Sequence, residues 1–375
     1  MNPFLVKGYY SKELFCDREE EIKMLLRNVS NGIDTTLISP RRMGKTGLIM
    51  HFFEQLKETE SNTDILYFDI FATRSLSDFV KCLAETILKK FPEKTNFGKK
   101  FISILKGLRP LIGYDTISGE PQIQISYHSN QEKEHTLQSL LQFLDSHKNQ
   151  IVIAIDEFQQ ITQYPEENME ALLRTVIQQL KNIRFIFCGS KKSMMLNIFS
   201  NTKRPFFAST QYLNLDKIEK TKYAKFIVNI FTDHGFTINE DTVEFILTWT
   251  KRHTFYTQSI CNMIYSFDEK NTNIDTVKEA CYEVLKQNEP VFLQYRQMLT
   301  PAQWNFLIAI AKEDEVKQIT SQKFIASYNI GTPANARRIA KSLEEKELIL
   351  VSQEKHQTIY QVYDVFFSRW LQHEY

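Results

Sequence analysis

The sequence has almost no net charge and no long apolar run. Its 46 basic and 45 acidic residues leave a formal charge of +1, which argues against a protein that holds nucleic acid through bulk electrostatics and leaves room only for a local basic patch. No stretch approaches the roughly 18 apolar residues of a membrane helix, and the N-terminus lacks a basic stub followed by an apolar run. These absences predict a cytoplasmic protein that works without a membrane.

Paired cysteines are also absent. The cysteines lie far apart, without a C-x-x-C pair and without histidines at metal spacing, so the pattern argues against both a disulfide framework and a zinc site. Free thiols in a reducing compartment fit this pattern best. The residues are Cys16, Cys82, Cys188, Cys261 and Cys281, and we expect Cys188 to be a small core residue.

Four short apolar runs, rich in β-branched and aromatic residues, alternate with long amphipathic segments. Continuous apolar strands between helices indicate a parallel sheet with helices on both faces. A fifth run alternates with polar residues, so we expect it at a sheet edge. The four runs span residues 35–39, 64–71, 150–157 and 183–190, and the fifth spans 210–215.

Helical periodicity fills the gaps between these runs. The predicted helices cover residues 45–59, 75–90 and 169–181. Between the second and third runs, residues 107–127 form an insertion with two strand-like segments around Gly119 and Pro121. This pattern predicts a small hairpin that stands off the main sheet.

The C-terminal part of the chain changes character twice. Residues 217–289 show no parallel-strand pattern and read as a helical lid. In residues 290–375, Thr300 and Pro301 suit the N-cap and first position of a helix, two more helical segments follow, and an alternating run then predicts a hairpin. Helices followed by a hairpin are typical of a winged helix. We expect the last helix to bury Phe366, Phe367, Trp370 and Leu371. The expected domains are a core at 1–216, the lid at 217–289 and the winged helix at 290–375.

The stretch LISPRRMGKTGLIM, residues 37–50, joins the first strand run to the first helix. Its Gly44-Lys45-Thr46 matches the end of the Walker A pattern G-x-x-x-x-G-K-[ST], in which the helix N-terminus and the lysine hold phosphate and the hydroxyl ligates Mg²⁺. Ser39 replaces the first glycine, which restricts the backbone without removing a donor. A chance G-K-T at a helix start is the alternative. We predict a nucleotide-binding loop of Ser39, Pro40, Arg41, Arg42, Met43, Gly44, Lys45, Thr46 and Gly47.

Two adjacent acids, Asp156 and Glu157, end the third strand run. This is the Walker B arrangement, in which the first acid orients Mg²⁺ and the second activates the attacking water. A solvated exit from the strand is the alternative reading, but the upstream G-K-T favours a site for ATP and Mg²⁺. We therefore expect Thr46 and Asp156 at the metal, and Lys45 and Glu157 in catalysis.

The fourth strand run ends in Ser190, which Lys191 follows. In P-loop ATPases of the additional-strand type, this strand lies between the strands that carry the two Walker motifs. The predicted sheet order is therefore 5-1-4-3-2, with Ser190 as a catalytic sensor that faces the γ-phosphate and Lys191 as a charge beside it. Ser190 is equally suited to cap the helix that follows, and both readings stay open.

Together these motifs resemble the archaeal-type ATPases of the STAND branch of AAA+-like P-loop proteins. The similarity extends over essentially the whole chain. It rests on LFCDREEEI at residues 14–22, which is similar to the family's F-x-x-R-E-x-E box, and on SPRRMGKTGL, IAIDEFQQI, FIFCGS, HTFYTQ and VYDVFFSRWL. The resemblance implies that Phe15 and Arg18 lie against the nucleotide base or brace the loop, and it implies a Mg²⁺-dependent ATPase.

Several arginines have open roles. Arg41 and Arg42 can contact phosphate, a neighbouring subunit or the lid, or point into solvent. Arg204 lies about where ring-forming relatives place an arginine finger. Where family members often have a G-x-P-like segment, this chain has Arg252 and His253, which either reach the phosphates or form a surface basic cluster.

The predicted third helix of the winged helix carries charges of both signs. Its basic residues Arg337, Arg338 and Lys341 are followed by Glu344, Glu345 and Glu347. A helix that reads the DNA major groove should favour basic residues along its exposed face, so the mixed signs favour a packing role.

Our leading hypothesis is a regulatory protein that binds Mg·ATP between the core and the lid and is switched by ATP hydrolysis, at a rate that can be low or depend on a partner. The alternative is a DNA-binding regulator gated by nucleotide, and a third reading is a scaffold with an inactive site. The sequence shows no nuclease, protease or kinase constellation, so we expect an unknown protein partner to carry any effector activity. Oligomerisation stays open.

Overall fold

A computed structural model of the chain describes residues 2–60, 62–107, 110–114, 121–125, 127, 129–354 and 357–375. The backbone divides into a first unit, Gly8–Lys217, and a second unit, which combines Met1–Lys7 with Ile218–Tyr375. The expected core began at residue 1, whereas the segment before Gly8 groups with the second unit.

The first unit alternates strands and helices. Its strands are β1 (Thr35–Ile38), β2 (Thr63–Asp69), β3 (Pro110–Tyr114), β4 (Pro121–Ile125), β5 (Gln150–Asp156), β6 (Ile183–Gly189) and β7 (Gln211–Asn214). Its helices are α1 (Glu19–Ser30), α2 (Lys45–Thr59), α3 (Leu76–Lys90), α4 (Asn96–Gly107), α5 (Asn130–Asp145), α6 (Met169–Ile177) and α7 (Lys192–Ser200). Short 3₁₀ turns cover Lys12–Leu14 and Phe158–Gln163.

Within the described part of this unit, five strands form one parallel sheet in the order β2-β5-β6-β1-β7. Numbered along the chain, these strands are ordered 2-3-4-1-5, which confirms the predicted order 5-1-4-3-2 when read from the other edge. β6 lies between β1 and β5, and the weakly apolar β7 lies at an edge. The predicted sheet was found because its strands are continuous apolar runs with helices between them.

The central strands are buried on both faces. In β5, Ile151 and Ile153 pack into one core cluster while Val152 and Ala154 pack into the other. Successive strand residues point to opposite faces, so one apolar run supplies both cores. The candidate site lies at the carboxyl ends of these strands.

The helix predicted over residues 169–181 is shorter than expected. α6 ends at Ile177, and the backbone N–H groups of Lys181 and Asn182 both donate to Asp145 Oδ1, at 2.9 and 2.7 Å. These bonds fix the entry into β6 and replace the last helical turn.

β3 and β4 pair antiparallel in the segment where the sequence predicts a hairpin. They form a sheet of their own, and the backbone N–H of Ile123 donates to Glu85 Oε1 of α3 at 2.8 Å. Ile123 is buried in the core cluster that α3 helps to form. The expected turn at Gly119 lies outside the described residues.

The second unit is mainly helical. Its helices are α8 (Lys220–Asp233), α9 (Glu240–Trp249), α10 (Thr254–Ser266), α11 (Ile274–Met298), α12 (Pro301–Glu313), α13 (Gln322–Ser327), α14 (Pro333–Glu345) and α15 (Val365–Glu374). Its strands are β8 (Thr237–Ile238), β9 (Asn271–Thr272), β10 (Ile349–Glu354) and β11 (Gln357–Val362). No helix in the described ranges is long and apolar enough to cross a bilayer.

The sequence of residues 217–289 reads as helical throughout, but the structure adds a short pair of parallel strands, β8 and β9. Each strand has two residues, which is too short for a strand pattern to show in sequence. Each is followed by an asparagine, Asn239 or Asn273, whose side chain caps the next helix. α11 also runs through Pro290, so a continuous helix crosses the expected boundary between lid and winged helix.

The segment before Gly8 is held to the second unit by side-chain amides and an aromatic ring. Asn2 Nδ2 donates to the carbonyl of Asn262 at 2.9 Å, and Asn262 Nδ2 donates to the carbonyl of Phe4 at 2.7 Å. The buried Phe4 ring lies 4.7 Å from the ring of Phe231.

The winged helix comprises α12, α13, α14, the antiparallel pair β10–β11 and the closing helix α15. Thr300 and Gln303 form a capping box at the start of α12, as the Thr-Pro start suggested. The predicted aromatic face of α15 is confirmed, since Phe366, Phe367, Trp370 and Leu371 are all buried.

The first prediction concerns Asp34, which precedes β1 and accepts a hydrogen bond from the backbone N–H of Phe185 at 2.8 Å. Burial raises the pKa of Asp34 to about 6, although Phe185 and two arginines oppose the shift. Because the folded-state pKa exceeds the unfolded value of about 3.9, this group favours folding below about pH 4 and loses that contribution as pH rises through about 6. Asp34→Asn keeps an acceptor for Phe185 and removes the buried charge.

We therefore expect Asp34→Asn to be more stable than the unsubstituted chain by about 1–3 kcal/mol at pH 8, with the difference closing below about pH 4. Urea unfolding across this pH range measures the difference. Asp233→Asn, at an exposed position, controls for the loss of one negative charge. A difference that does not change with pH would contradict the assignment.

Candidate functional site

The carboxyl ends of β1, β5 and β6 converge, because parallel strands end at the same edge of a sheet. The loop after β1, the acid pair at the end of β5 and Ser190 after β6 therefore lie together. The buried Ser39 extends the β1–β6 ladder, since its backbone N–H donates to the carbonyl of Gly189 at 3.1 Å. A serine suits this position because the chain is still extended there, and the left-handed turns come later in the loop.

Those turns are at Arg42 and Gly44, with φ of 61° and 92°. Gly44 is the N-cap of α2 and has no side chain to cover the first N–H groups of the helix. Uncovered N–H groups and the positive end of the helix dipole favour an anion at this point. In the rest of the predicted loop, Pro40, Arg42 and Thr46 are exposed, Arg41, Gly44 and Gly47 are half-buried, and Met43 and Lys45 are buried.

The ammonium of Lys45 lies between the two predicted acids. It contacts Asp156 Oδ1, and it is 2.9 Å from Glu157 Oε1. Asp156 Oδ2 accepts a hydrogen bond of 2.8 Å from the hydroxyl of Tyr67 and lies 3.4 Å from Thr46 Oγ1. Burial opposes the charged form of Lys45, but the attraction of Asp156 and Glu157 outweighs it, so its pKa is raised. The arrangement keeps a cation at the start of α2.

The second carboxylate oxygen of Glu157 accepts from neutral donors. Ser190 Oγ donates to Glu157 Oε2 at 2.7 Å, and the side-chain amide of Gln159 donates to the same atom. Burial opposes the ionisation of Glu157, but Lys45 and these hydrogen bonds outweigh it and lower its pKa. Glu157 is thus held as a carboxylate, in a left-handed backbone conformation with φ of 54°.

Ser190 does not cap the helix that follows it, and its role as a sensor stays a prediction. The N-cap of α7 is Lys191, and the Ser190 hydroxyl bonds to Glu157 instead of to the helix. Ser190 is therefore placed where it can act on the acid pair.

The predicted metal ligands offer a small set of oxygen donors. Thr46 and Asp156 are adjacent, whereas no group of three or more His, Cys, Asp and Glu side chains among the described residues could hold a metal. Mg²⁺ commonly takes one or two protein oxygens and completes its shell with water and substrate phosphates. The residues present fit Mg²⁺ that is bound together with a nucleotide.

The F-x-x-R-E-x-E box lies beside the start of α2 and at the end of β7. A Cβ atom added to Gly47 would be 3.3 Å from Phe15 Cε2, so Phe15 packs directly on the first turn of α2. The ring of Phe15 also lies 4.6 Å from the ring of His51. Arg18 is 4% exposed and donates to the carbonyl of Asp216 at 2.6 Å and to Glu21 Oε1 at 2.9 Å. In the structure, Phe15 and Arg18 therefore both brace neighbouring segments of the chain.

Three other predicted residues are placed by contacts within their own units. Arg204 forms an ion pair of 3.0 Å with Glu170 of α6. Arg252 and His253 belong to the second unit, where Arg252 Nη1 is 3.5 Å from the carbonyl of Ile218 and His253 is the N-cap of α10. Cys188 is buried in the core, as expected.

Tyr67 and Gln159 were not predicted. Tyr67 lies in the apolar run of β2, and although the predicted order places β2 beside β5, it does not tell which side chain of β2 reaches Asp156. Gln159 and Gln160 are adjacent, and no sequence pattern tells which of them faces the acid pair.

The fold and the site define a P-loop ATPase with a winged helix. A sequence model described as an ATPase domain predominantly from Archaea matches residues 15–254, and the chain belongs to this family. A second model, described as a probable winged helix domain, matches residues 290–373. No curated protein has a significant match to the chain.

Solved structures share the fold over nearly the whole chain. The Walker-type ATPase of Pyrococcus abyssi is 18% identical, with 99% of each chain covered and a TM-score of 0.66. The Orc2 protein of Aeropyrum pernix, solved with ADPNP and ADP, is 13% identical, with 100% of this chain and 98% of that chain covered and a TM-score of 0.60. The Orc1 protein of Aeropyrum pernix, solved in complex with DNA, is 12% identical, with 100% and 96% covered and a TM-score of 0.55. At these identities the likeness shows the fold alone.

The second prediction tests Arg18 as a brace. Arg18→Met removes the donors to the Asp216 carbonyl and to Glu21, so we expect the free energy of unfolding to fall by about 1–3 kcal/mol. Urea unfolding measures the loss. Lys23→Met is the matched control, because Lys23 pairs with Glu20 on the exposed face of the same helix, where we expect a change within about 0.5 kcal/mol. Loss of ATP affinity at unchanged stability would instead place Arg18 against the nucleotide base.

Proposed function

We propose that this protein binds Mg·ATP at the loop between β1 and α2 and hydrolyses it, as a nucleotide-controlled regulatory switch. The observation that carries the proposal is the Lys45 ammonium at the start of α2, in contact with both Asp156 and Glu157. One cation and two acids at a helix N-terminus bring together a phosphate ligand, a metal ligand and a base. Membership of an ATPase family supports the same assignment.

In this proposal the loop residues, from Ser39 to Gly47, surround the phosphates. The N–H groups at the start of α2 and the Lys45 ammonium bind phosphate oxygens, and Phe15 lies close enough to Gly47 to border the nucleotide. Pro40, Arg41, Arg42 and Met43 shape the loop, and the exposed Arg42 can reach outward to phosphate or to a partner. Phosphate competes with Asp156 and Glu157 for Lys45, so nucleotide binding would loosen the lysine's contact with the base.

The two acids, Asp156 and Glu157, have separate roles in the proposed reaction. Asp156 and Thr46 would hold Mg²⁺, which neutralises phosphate charge when bound. Glu157 orients a water molecule whose oxygen attacks the γ-phosphorus. The water's proton goes to Glu157, and the bond to the bridging oxygen breaks with its electron pair on ADP. Ser190 would report on the γ-phosphate through its hydrogen bond to Glu157.

The third prediction separates binding from turnover. Glu157→Gln keeps the size of the side chain and removes the proton acceptor, so we expect ATP to bind as before and hydrolysis to fall by at least about 100-fold. Equilibrium binding of labelled ATP and phosphate release measure the two effects. Lys45→Ala is the companion variant, which should lose ATP binding. Hydrolysis at the original rate in Glu157→Gln would refute the assigned base, and tight ATP binding in Lys45→Ala would refute the phosphate loop.

A protein partner is part of the proposal, because the sequence offers no effector chemistry beyond the ATPase site. The Glu157→Gln variant, held with ATP, is the suitable bait for that partner, and the same preparation reports whether the chain self-associates.

DNA binding is a second candidate, favoured by the exposed Arg337, Arg338 and Lys341 on α14. Glu344 and Glu345 are exposed on the same helix and would face the phosphate backbone unfavourably. The Orc1 protein that shares the fold was solved with DNA, but the likeness extends only to fold. The mixed charge leads us to favour the switch role.

The fourth prediction follows from this balance of charge. If α14 read the major groove, the protein should bind duplex DNA at about 50 mM salt and lose affinity steeply by about 200 mM. Changing Arg337 and Arg338 to Glu should then abolish the binding. We expect no such duplex binding by fluorescence anisotropy. Salt-dependent binding that the double variant abolishes would establish the DNA-binding alternative.

A further inference from the structure

Gln159 is a buried polar side chain next to the proposed base, and the reaction as described above does not use it. It is 4% exposed and lies in the 3₁₀ turn Phe158–Gln163 that directly follows Glu157. Its amide Nε2 donates to Glu157 Oε2, the oxygen that also accepts from Ser190 Oγ at 2.7 Å. Two donors from different elements therefore meet on one carboxylate oxygen.

The other end of the Gln159 amide shows how tightly it is placed. A Cβ atom added to Gly189 would be 2.5 Å from Gln159 Oε1, so the glycine before Ser190 leaves the space that this amide fills. Gln159 Oε1 is itself buried without a hydrogen-bond partner among the described residues. Buried polar atoms are normally paired, so an unpaired carbonyl is a cost to the fold. The hydrogen bond from Gln159 Nε2 to Glu157 is the polar interaction that offsets this cost.

The two oxygens of Glu157 consequently have different surroundings. Oε2 is fixed by neutral donors from Ser190 and Gln159, whereas Oε1 faces the Lys45 ammonium at 2.9 Å. A phosphate that attracts Lys45 would release Oε1 and leave Oε2 anchored. A general base works only when the accepting atom is held within hydrogen-bond reach of its water, and an unanchored glutamate side chain has several rotatable bonds.

We propose that Gln159 is a positioning residue, which anchors Glu157 through Oε2 so that Oε1 is the atom presented to the attacking water. This role rests on the proposed ATP hydrolysis. It assigns the two carboxylate oxygens different functions, and it makes the Gly189–Gln159 contact part of the catalytic support.

The chain offers a matched control in the neighbouring glutamine. The side-chain amide Nε2 of Gln160 donates to the carbonyl of Thr73 at 3.0 Å. Within the described structure, this side chain makes no hydrogen bond to Glu157. Gln159→Met and Gln160→Met each replace an amide with an apolar group of similar length. The two variants differ in whether the lost donor served the base.

The kinetic test compares kcat with KM. We expect Gln159→Met to lower kcat for ATP hydrolysis by about 10-fold to 100-fold, with KM, ATP affinity and Tm unchanged, and Gln160→Met to match the unsubstituted chain in kcat. In the Glu157→Gln background, Gln159→Met should cause no further loss of the residual rate, because the amide acts through Glu157.

A second readout requires neither nucleotide nor turnover. The side-chain amide NMR signals of Gln159 and Gln160 can be assigned by their disappearance in the two methionine variants. We expect Glu157→Gln to shift the signal of Gln159 and to leave that of Gln160 in place.

An unmoved Gln159 signal, an unchanged kcat in Gln159→Met, or a further fall in rate in the Glu157→Gln background would each overturn the positioning role. If Gln159→Met lowered both Tm and ATP affinity, the role of Gln159 would be structural, and this result would also overturn the positioning role. Failure of the proposed function can be told apart from failure of the positioning role, because the unsubstituted chain itself would then release no phosphate. That result would overturn the positioning role together with the reaction.

Discussion

The first unit depends on one buried ammonium that is shared by two carboxylates. Lys45 contacts Asp156 and Glu157, and each of these charges would be expensive to bury alone. Removing Lys45 leaves both carboxylates uncompensated, whereas removing one carboxylate leaves Lys45 paired with the other. The cluster forms because β1 and β5, which lie on either side of β6, end at the same edge of the sheet.

Hydrogen bonds from neutral side chains also hold the two carboxylates in place. Tyr67 from β2 holds Asp156, whereas Ser190 after β6 and Gln159 from the turn after β5 hold Glu157. Each donor comes from a different segment, so the geometry of the acid pair is set by the whole sheet edge. Groups held in this way need little reorganisation when a substrate arrives, which is the general requirement for electrostatic catalysis.

Much of this arrangement could be predicted from sequence because it depends on local patterns. The apolar runs predicted the strands, the arrangement of additional-strand P-loop ATPases predicted their order, and Gly44-Lys45-Thr46 with the acid pair predicted the cluster. Other features depend on contacts between distant segments. Sequence could not choose between a helix cap and a γ-phosphate sensor for Ser190 and did not indicate its contact with Glu157. It also could not tell which adjacent glutamine faces Glu157, and it gave no signal for the two-residue strands β8 and β9. The expected boundary between residues 289 and 290 falls inside a helix, because α11 continues through Pro290.

The path of the chain through its two units bears on how the protein folds during synthesis. The segment that contains Phe4 packs with Phe231 and Asn262, although the entire first unit separates them in sequence. All residues of the first unit have been made once Lys217 is added, so this unit can fold while the partners of Phe4 are still missing. Until α8 and α10 have been made, the Phe4 segment lacks these partners, so the second unit can close only after every residue of the first unit has been synthesised.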